Sequence, residues 1–109
     1  MPSQAPTLFP AQTQLLEQLG ERLREARLRR RFAMRVVAER AGISRQTLYK
    51  VEAGDPSVNL GTYVRVLAVL GMDQQLALIA ADDPVGRRLQ DAQLPVKRRA
   101  PKPKSRGTG

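Results

Sequence analysis

The sequence predicts an all-α protein built around one small helical core. Apolar residues recur three and four positions apart in several segments, which is typical of amphipathic helices. Glycine, proline and helix-capping side chains separate these segments. The chain has 109 residues, of which 41% are hydrophobic, 4% are aromatic and none is tryptophan. These values suit a single domain with a core of modest size.

The charge is strongly positive but unevenly distributed. The formal net charge is +9 and the pI is about 11.3, which favours a polyanionic partner such as nucleic acid or an acidic surface. Residues 95–109 contain six bases and no acid, whereas the rest of the chain contains 13 bases and 10 acids. The high pI therefore describes mainly this C-terminal segment, and DNA binding by the rest of the chain needs separate support.

The composition disfavours several classes of function. The chain has no Cys and no His, which excludes disulfides and the usual zinc ligands. No pattern provides a nucleophile with a neighbouring base. We therefore expect neither an enzyme nor a cofactor, metal or small-molecule ligand. No apolar run is long enough to cross a membrane and no signal peptide is recognisable, so we expect a cytoplasmic protein without membrane association.

The N-terminal part is predicted to contain a disordered segment, residues 1–11, and then a helix from Gln12 to Arg30. Proline recurs among small polar residues in the disordered segment. Four apolar residues form one stripe along the helix: Leu16, Leu19, Leu23 and Ala26. The basic run Arg29–Arg31 has two interpretations. It is either a solvated helix end favoured by the negative terminus of the helix dipole, or a contact to phosphate.

The most specific pattern lies in the window Met34–Ala53. Two short helical patterns, Met34–Ala41 and Ser44–Ala53, flank a glycine. Gly42 lies in the turn, where a positive φ is accessible to glycine without steric cost. Ala38 is small enough to let the two helices cross closely. This arrangement predicts a helix-turn-helix unit, whose second helix enters the DNA major groove.

Apolar side chains of suitable size occupy the remaining inner positions of this window. Four of them are placed to hold the two helices together: Val37, Ala41, Leu48 and Val51. Ile43 is predicted to close the corner between the helices, and Ser44 is a natural N-cap for the second one. The alternative is an ordinary helical hairpin with no role in DNA binding.

A fourth helix is predicted after residues 54–56, whose Gly-Asp-Pro sequence breaks the chain. Asn59 is its predicted N-cap, and Gly71 is predicted to end it in the left-handed conformation. Five residues make up its predicted buried stripe: Leu60, Tyr63, Val64, Leu67 and Leu70.

The C-terminal part is predicted to hold two shorter elements and a tail. Asp73 is the predicted N-cap of a fifth helix over residues 74–81, although alternating leucines leave a short strand as the alternative. A last short helix is predicted from Pro84 to Gln90. Residues 95–109 are predicted to be a disordered basic tail, because proline and basic side chains leave nothing to bury.

The stretch from Leu19 to Leu70 resembles the XRE/Cro-like helix-turn-helix family of phage repressors and bacterial regulators. The resemblance rests on the segments LGERLREARLRR, VVAERAGISRQTLYKVEAG and NLGTYVRVLAVLG. It implies a lambda-repressor-like bundle of five helices over residues 12–82, with a short helical extension over residues 83–94. It also implies that the second helix of the motif reads double-stranded DNA, usually as a homodimer on a palindromic operator.

Four side chains on the outward face of the second helix are candidates for contact with DNA bases. Arg45 and Gln46 lie early in the helix, where recognition helices meet base edges. Arginine pairs with guanine O6 and N7, and glutamine with adenine N6 and N7. Tyr49 and Lys50 are expected to contact either bases or the DNA backbone. The alternative for each is an ordinary solvated polar side chain.

Three further side chains are expected to contact phosphates. In the family a Thr-Gln pair usually opens the first helix of the motif, and its glutamine lies near a phosphate. Ala33 and Met34 occupy those positions here and cannot form such hydrogen bonds, so Arg35 is expected to take over the contact. The hydroxyl groups of Ser44 and Thr47 are also expected to contact phosphates, which position a protein without reading sequence.

Two charged residues are expected to be structural. In related domains an arginine of the first helix pairs with a glutamate near the end of the third, and Arg27 and Glu52 occupy the matching positions. The resemblance therefore implies an ion pair at these positions and not a contact with DNA. The other predicted structural residues lie in the turn and on the inner helix faces: Ala38, Gly42, Leu48 and Val51.

The sequence thus predicts a DNA-binding transcriptional regulator, and more specifically an autorepressing antitoxin. The segment DQQLALIAADDPVGRRLQD and the basic tail look similar to HipB-like antitoxins, which are encoded beside HipA-like kinase toxins. This similarity implies a toxin-binding surface outside the recognition helix. The candidates for dimer or toxin contact are apolar residues that exceed what a small core needs: Leu76, Ile79 and Leu89.

Two other functions remain as alternatives: a stand-alone XRE-family repressor without a toxin partner, and a helical adaptor that binds only protein. An adaptor should tolerate loss of Arg45 and Gln46, whereas a regulator should not. The tail also has two interpretations. It is either an electrostatic arm that adds sequence-independent affinity for DNA, or a solubilising end. The operator, the controlled gene and the partner stay open at this stage.

Overall fold

The computed structural model describes residues 7–94, which contain five α-helices and one 3₁₀ helix. The all-α prediction is correct over these residues, since no strand is present among them. The elements, in chain order, are α1 Pro10–Arg29, α2 Met34–Ala41, α3 Arg45–Ala53, α4 Leu60–Val69, the 3₁₀ helix Asp73–Leu78 and α5 Pro84–Gln93. They form two compact units, of which the first ends at Ala77 and the second begins at Leu78.

Helix α1 begins at Pro10, two residues before the predicted start. The prediction that residues 1–11 are disordered is therefore wrong for residues 10 and 11, and residues 1–6 lie outside the described part of the chain. The backbone N–H of Phe9 donates to Oε1 of Gln12 at 3.0 Å, and a proline at the first helical position has a suitable φ. This local cap starts the helix early.

The segment after α4 differs from the prediction of an α-helix over residues 74–81. Asp73–Leu78 is a 3₁₀ helix instead, and the strand alternative is also wrong. None of its residues is buried, so no apolar face holds it as an α-helix, and Ala80 has a positive φ of 62°. Helix α5 runs three residues beyond the predicted end, to Gln93.

The core of the first unit is formed by the inner faces of α1 to α4 and the residue after α4. Its buried members are Leu23, Ala26, Val37, Ala38, Ala41, Leu48, Val51, Tyr63, Val66, Leu67 and Leu70. The predicted stripe of α4 needs a correction. Leu60 is 64% exposed because it is the first residue of the helix and lies beyond the edge of the core. Val64 is half-buried, and Val66 takes the buried position instead.

Helices α1 and α3 approach so closely that two glycines are required where they meet. A Cβ atom added to Gly20 would lie 2.6 Å from the carbonyl oxygen of Glu52 and from the amide nitrogen of Gly54. A Cβ atom added to Gly54 would collide with the carbonyl group of Leu16, and the φ of Gly54 is 72°. The two backbones are therefore in direct contact, which fixes the C-terminal end of α3 against α1.

Tyr63 joins α4 to the loop that follows α3. Its side chain is 3% exposed, and its hydroxyl group donates to the backbone carbonyl of Asp55 at 3.0 Å. Burial, with a smaller contribution from the charge of Asp55, raises the pKa of Tyr63 to about 12. The folded protein therefore holds this proton at pH values where an unfolded tyrosine releases it.

We expect Gly20→Ala to lower the free energy of unfolding by at least about 2 kcal/mol, because overpacking here displaces backbone. Urea unfolding followed by circular dichroism measures the change. Gly61→Ala is the matched control: this glycine is exposed in α4 and its nearest neighbour is the Asn59 side chain. The control should change stability by less than about 1 kcal/mol. A Gly20→Ala variant as stable as the control would contradict the close contact.

We expect the free energy of unfolding to fall as the pH rises from about 10 to about 12. Tyr63 keeps its proton in the folded state up to a pKa of about 12, against an ordinary value of 10.0. This contribution is fully present below pH 10 and is lost as the pH passes 12, about 3 kcal/mol in total. Chemical unfolding at a series of pH values tests it. Tyr63→Phe should lack this component, whereas Tyr49→Phe should keep it.

Candidate nucleic-acid interface

The turn between α2 and α3 is fixed by backbone and side-chain hydrogen bonds. Gly42 ends α2 in the left-handed conformation with a φ of 70°, and the N–H of Ile43 donates to the carbonyl of Ala38 at 2.9 Å. Ser44 then caps α3, since its Oγ accepts the N–H of Thr47 at 3.0 Å. Ala38 is 3% exposed, and its small side chain lies where α2 and α3 pack together.

Helix α3 has one apolar face and one polar face. Leu48 and Val51 are fully buried in the core. The outward face carries four exposed side chains, namely Arg45, Gln46, Tyr49 and Lys50. The structure therefore brings all four predicted base-contacting residues together on one accessible surface, which we call the recognition face.

The predicted phosphate-contacting residues lie near the start of each helix of the motif. Ser44 and Thr47 are next to each other, because the hydroxyl group of Ser44 also donates to Oγ1 of Thr47 at 3.0 Å. Arg35 is in the first turn of α2, and its guanidinium lies 3.8 Å from the carboxylate of Glu39. Both side chains are largely exposed, so this pair is weak and leaves Arg35 accessible.

The opening of α2 contains Ala33 and Met34, which stand where the resemblance led us to expect a Thr-Gln pair. Ala33 precedes the helix and provides no side-chain cap. Met34 is half-buried and packs against the core. Met34 therefore serves packing, whereas Ala33 is exposed, and neither side chain can hydrogen-bond to a phosphate.

Arg27 and Glu52 form a nearly buried, bidentate ion pair. Nε of Arg27 lies 2.7 Å from Oε2 of Glu52, and NH2 of Arg27 lies 3.1 Å from Oε1. The two side chains are 10% and 7% exposed. A third hydrogen bond runs from NH1 of Arg27 to the carbonyl of Phe32 at 3.1 Å. The pair therefore ties α1 to the turn before α2 and to the end of α3.

A polar cleft next to the recognition face was not predicted from the sequence. It is an open cleft of about 270 Å³ between α3 and the start of α4, lined by Thr47, Lys50, Ser57, Val58, Asn59 and Thr62. The sequence pattern identified Asn59 only as a helix cap and indicated no role for Ser57. In the sequence, the only sign of the cleft is the spacing of Ser57 and Asn59 from α3. That spacing does not show that they lie beside Lys50, because the loop between α3 and α4 determines where they are placed.

The chemistry of this cleft suits an anionic oxygen that approaches from the side of α3. Lys50 provides a positive charge, and Thr47 and Ser57 provide hydroxyl donors. Asn59 is occupied, because its Oδ1 accepts from both the N–H and the hydroxyl group of Thr62. Asp55 accepts the N–H of Ser57 at 2.8 Å, and this hydrogen bond lowers the pKa of its carboxyl group. The negative charge of the nearby Asp55 repels an anion in the cleft, so binding there depends on the positive charge of Lys50.

Two other common types of site are not found among the described residues. Among residues 7–94 there is no group of three or more acidic side chains placed to hold a metal ion. Within the same range, no helix combines the length and apolar character that a bilayer-spanning segment needs. The recognition face and the adjoining cleft are therefore the surfaces whose residue types point most directly to a ligand.

The fold and the site together define a helix-turn-helix protein, the class in which the second helix of the motif approaches the DNA major groove. Residues 18–78 match the family described as a helix-turn-helix domain, and this match spans more than half of the chain. The chain therefore belongs to the helix-turn-helix domain family. A comparison with curated proteins gave no match. Membership of this family supports the function of a DNA-binding regulator.

We expect Glu52→Ala to lower stability without changing the choice of DNA sequence. The substitution strands the nearly buried charge of Arg27, which costs about 3–5 kcal/mol in comparable pairs. Thermal unfolding measures the loss, and the ratio of affinities for operator and random DNA should stay within about twofold of wild type. Glu39→Ala removes an exposed pair and is the control, with an expected change below about 1 kcal/mol. A melting temperature within a degree or two of wild type for Glu52→Ala would show that the pair is not structural.

Proposed function

We propose that this protein is a sequence-specific transcriptional regulator that binds double-stranded DNA through α3. The observation that carries this proposal is the recognition face, where Arg45, Gln46, Tyr49 and Lys50 are all exposed on the side of α3 opposite the core. None of these residues is needed to close the core. Their presence together is therefore best explained by a partner, and helix-turn-helix domains present this helix to DNA.

In the proposed complex, Arg45 and Gln46 read base edges in the major groove. A good bidentate pair discriminates against the wrong base by about 1–3 kcal/mol. Tyr49 contacts a base or the backbone from the next turn of the helix. Lys50 lies between the recognition face and the polar cleft, so it is placed to hold a backbone phosphate there. Arg35 contacts the backbone from α2.

The hydroxyl groups at the start of α3 complete the proposed contacts with the backbone. Ser44 donates its hydroxyl hydrogen to Oγ1 of Thr47, so the hydroxyl hydrogen of Thr47 is the one left to donate to a phosphate. Ser44 contributes such a contact when its hydroxyl group rotates away from Thr47. Phosphate contacts of this kind set the register of the protein on the duplex. The basic segment 95–109 lies outside the described residues, and we propose from its charge alone that it adds affinity that falls with salt.

At a finer level we propose an XRE/Cro-like repressor that acts in the cytoplasm as a homodimer on a palindromic operator. We further propose that it is a HipB-like antitoxin that represses its own operon and binds a HipA-like toxin. The supporting observation is that four large apolar side chains of the second unit are 56–73% exposed: Leu78, Ile79, Val85 and Leu89. Exposed apolar clusters are typical of protein–protein interfaces.

The same surface suits a stand-alone repressor if its occupant is a second copy of the chain. Helix α5 has ten residues and none is buried, and isolated helices of this length are marginal in water. Analytical ultracentrifugation distinguishes the two cases. If Leu89→Asp leaves the sedimentation of the protein unchanged but abolishes binding of the purified neighbouring gene product, the surface serves the antitoxin role, whereas a dimer dispersed by Leu89→Asp favours self-association.

We expect Arg45→Ala/Gln46→Ala to abolish a preference of about a thousandfold for the DNA upstream of its own gene over random DNA at ~150 mM salt. Fluorescence anisotropy measures both affinities. Gln18→Ala/Arg22→Ala is the matched control, since it removes the same two residue types from exposed positions of α1. Equal, weak binding of wild type to both DNAs would instead point to the basic segment as the source of affinity, and the bundle would then be tested as a protein-binding adaptor.

A further inference from the structure

Helices α1 to α4 all end in the same backbone conformation, but one of them uses a different residue. After each helix, one residue in the left-handed conformation closes the last turn. It is Gly42 after α2, Gly54 after α3 and Gly71 after α4, with φ of 70°, 72° and 75°. After α1 it is Arg31, with φ of 56°. A side chain is disfavoured in this conformation, whereas glycine adopts it freely.

The turn at Arg31 is held in place by its surroundings. The N–H of Arg31 donates to the carbonyl of Leu28 at 2.9 Å, and the N–H of Phe32 donates to the carbonyl of Arg27 at 3.1 Å. This pair of hydrogen bonds is the Schellman motif. The guanidinium of Arg40 also lies over the Phe32 ring, 5.5 Å from its centroid. The backbone therefore keeps the conformation regardless of the side chain at position 31.

The Arg31 side chain has no ion-pair or hydrogen-bond partner among those found for the described residues. Arg31 is exposed, and the ion pairs found among residues 7–94 do not include it. Its neighbour Arg30 folds back onto the carbonyl of Ala26 at 2.9 Å, whereas no such hydrogen bond is found for Arg31 in the same range. Glycine would suit the turn better than arginine, and the helix dipole favours a positive charge at this end of α1 only weakly at an exposed position in salt. An external partner for the charge is therefore the stronger explanation.

The position of Arg31 in the chain indicates which group its positive charge contacts. It lies three residues before α2, and three residues span at most about 11 Å. In helix-turn-helix proteins the first helix of the motif crosses the DNA backbone. Residues 29–35 contain four arginines and no acid. An exposed positive charge at this end of α2 is therefore placed near the phosphates that flank the recognition face.

We propose that Arg31 is a contact to the DNA backbone that supplies sequence-independent affinity from outside the recognition helix. The proposal rests on the proposed function, since it assumes that α3 binds DNA. Within the basic run Arg29–Arg31, Arg31 is the residue assigned to phosphate binding, because it is the non-glycine residue in a left-handed turn position. The ligand is a phosphodiester group, so the contact is expected to be equally strong on operator and on random DNA.

Arg31→Gly tests the proposal because stability and affinity should change in opposite directions. We expect the melting temperature to rise by about 4 °C, because glycine suits the left-handed turn. We expect affinity for operator and random DNA to fall by the same factor, about three- to tenfold at ~150 mM salt. The slope of log affinity against log salt should become shallower by about 0.9, the value for one lost phosphate contact. Thermal unfolding gives the melting temperature, and anisotropy titrations at several salt concentrations give the affinities and the slope.

Two variants serve as controls. Arg31→Lys keeps the charge and the disfavoured conformation, so its melting temperature and salt slope should match wild type. Arg22→Ala removes an exposed charge from α1, and its salt slope should change by less than half as much as that of Arg31→Gly. A more stable Arg31→Gly variant with unchanged DNA binding would overturn this inference and leave the proposed function standing. Wild-type protein that shows no preference for its operator would count against the proposed function itself.

Discussion

The contact between α1 and the C-terminal end of α3 is the constraint on which the rest of the structure depends. Two glycine backbones meet there with no space for a Cβ atom, and the Arg27–Glu52 ion pair bridges the same two helices. The glycine contact fixes the distance between α1 and α3, and the ion pair fixes the orientation of α3 relative to α1. Helix α3 is thereby held at its far end, while its first turn, capped by Ser44, points its side chains away from the core.

Because of this arrangement, α3 uses one set of side chains to pack on the core and another set for recognition. Helix α3 has nine residues, and only Leu48 and Val51 are buried within it. Helix α3 packs against α1, α2 and α4, so it is supported without using its outward face. Arg27 also bonds the carbonyl of Phe32, which links the placement of α3 to the turn that leads into α2. A change in this ion pair would therefore disturb both helices of the motif together.

The sequence predicted those parts of the fold that depend on local signals. Ser44, Gly42 and Asn59 act within three residues of their own positions, so their roles could be foreseen. The contact of Gly20 with Gly54 could not, because it joins residues that are distant in the chain. The 3₁₀ helix after α4 and the exposure of Leu60 were missed for a related reason, since apolar periodicity does not show where the core ends. The polar cleft appears only when α4 is placed beside α3.

The recognition face is energetically almost independent of the core that carries it. Its four side chains are exposed and make few contacts with the rest of the bundle, and substitutions at such surface positions usually change stability by less than about 0.5 kcal/mol. Related proteins could therefore exchange the residues at positions 45, 46, 49 and 50 one at a time and still fold. The same scaffold could pass through many intermediate sequences as its target changes, and selection on stability would place little restriction on the route.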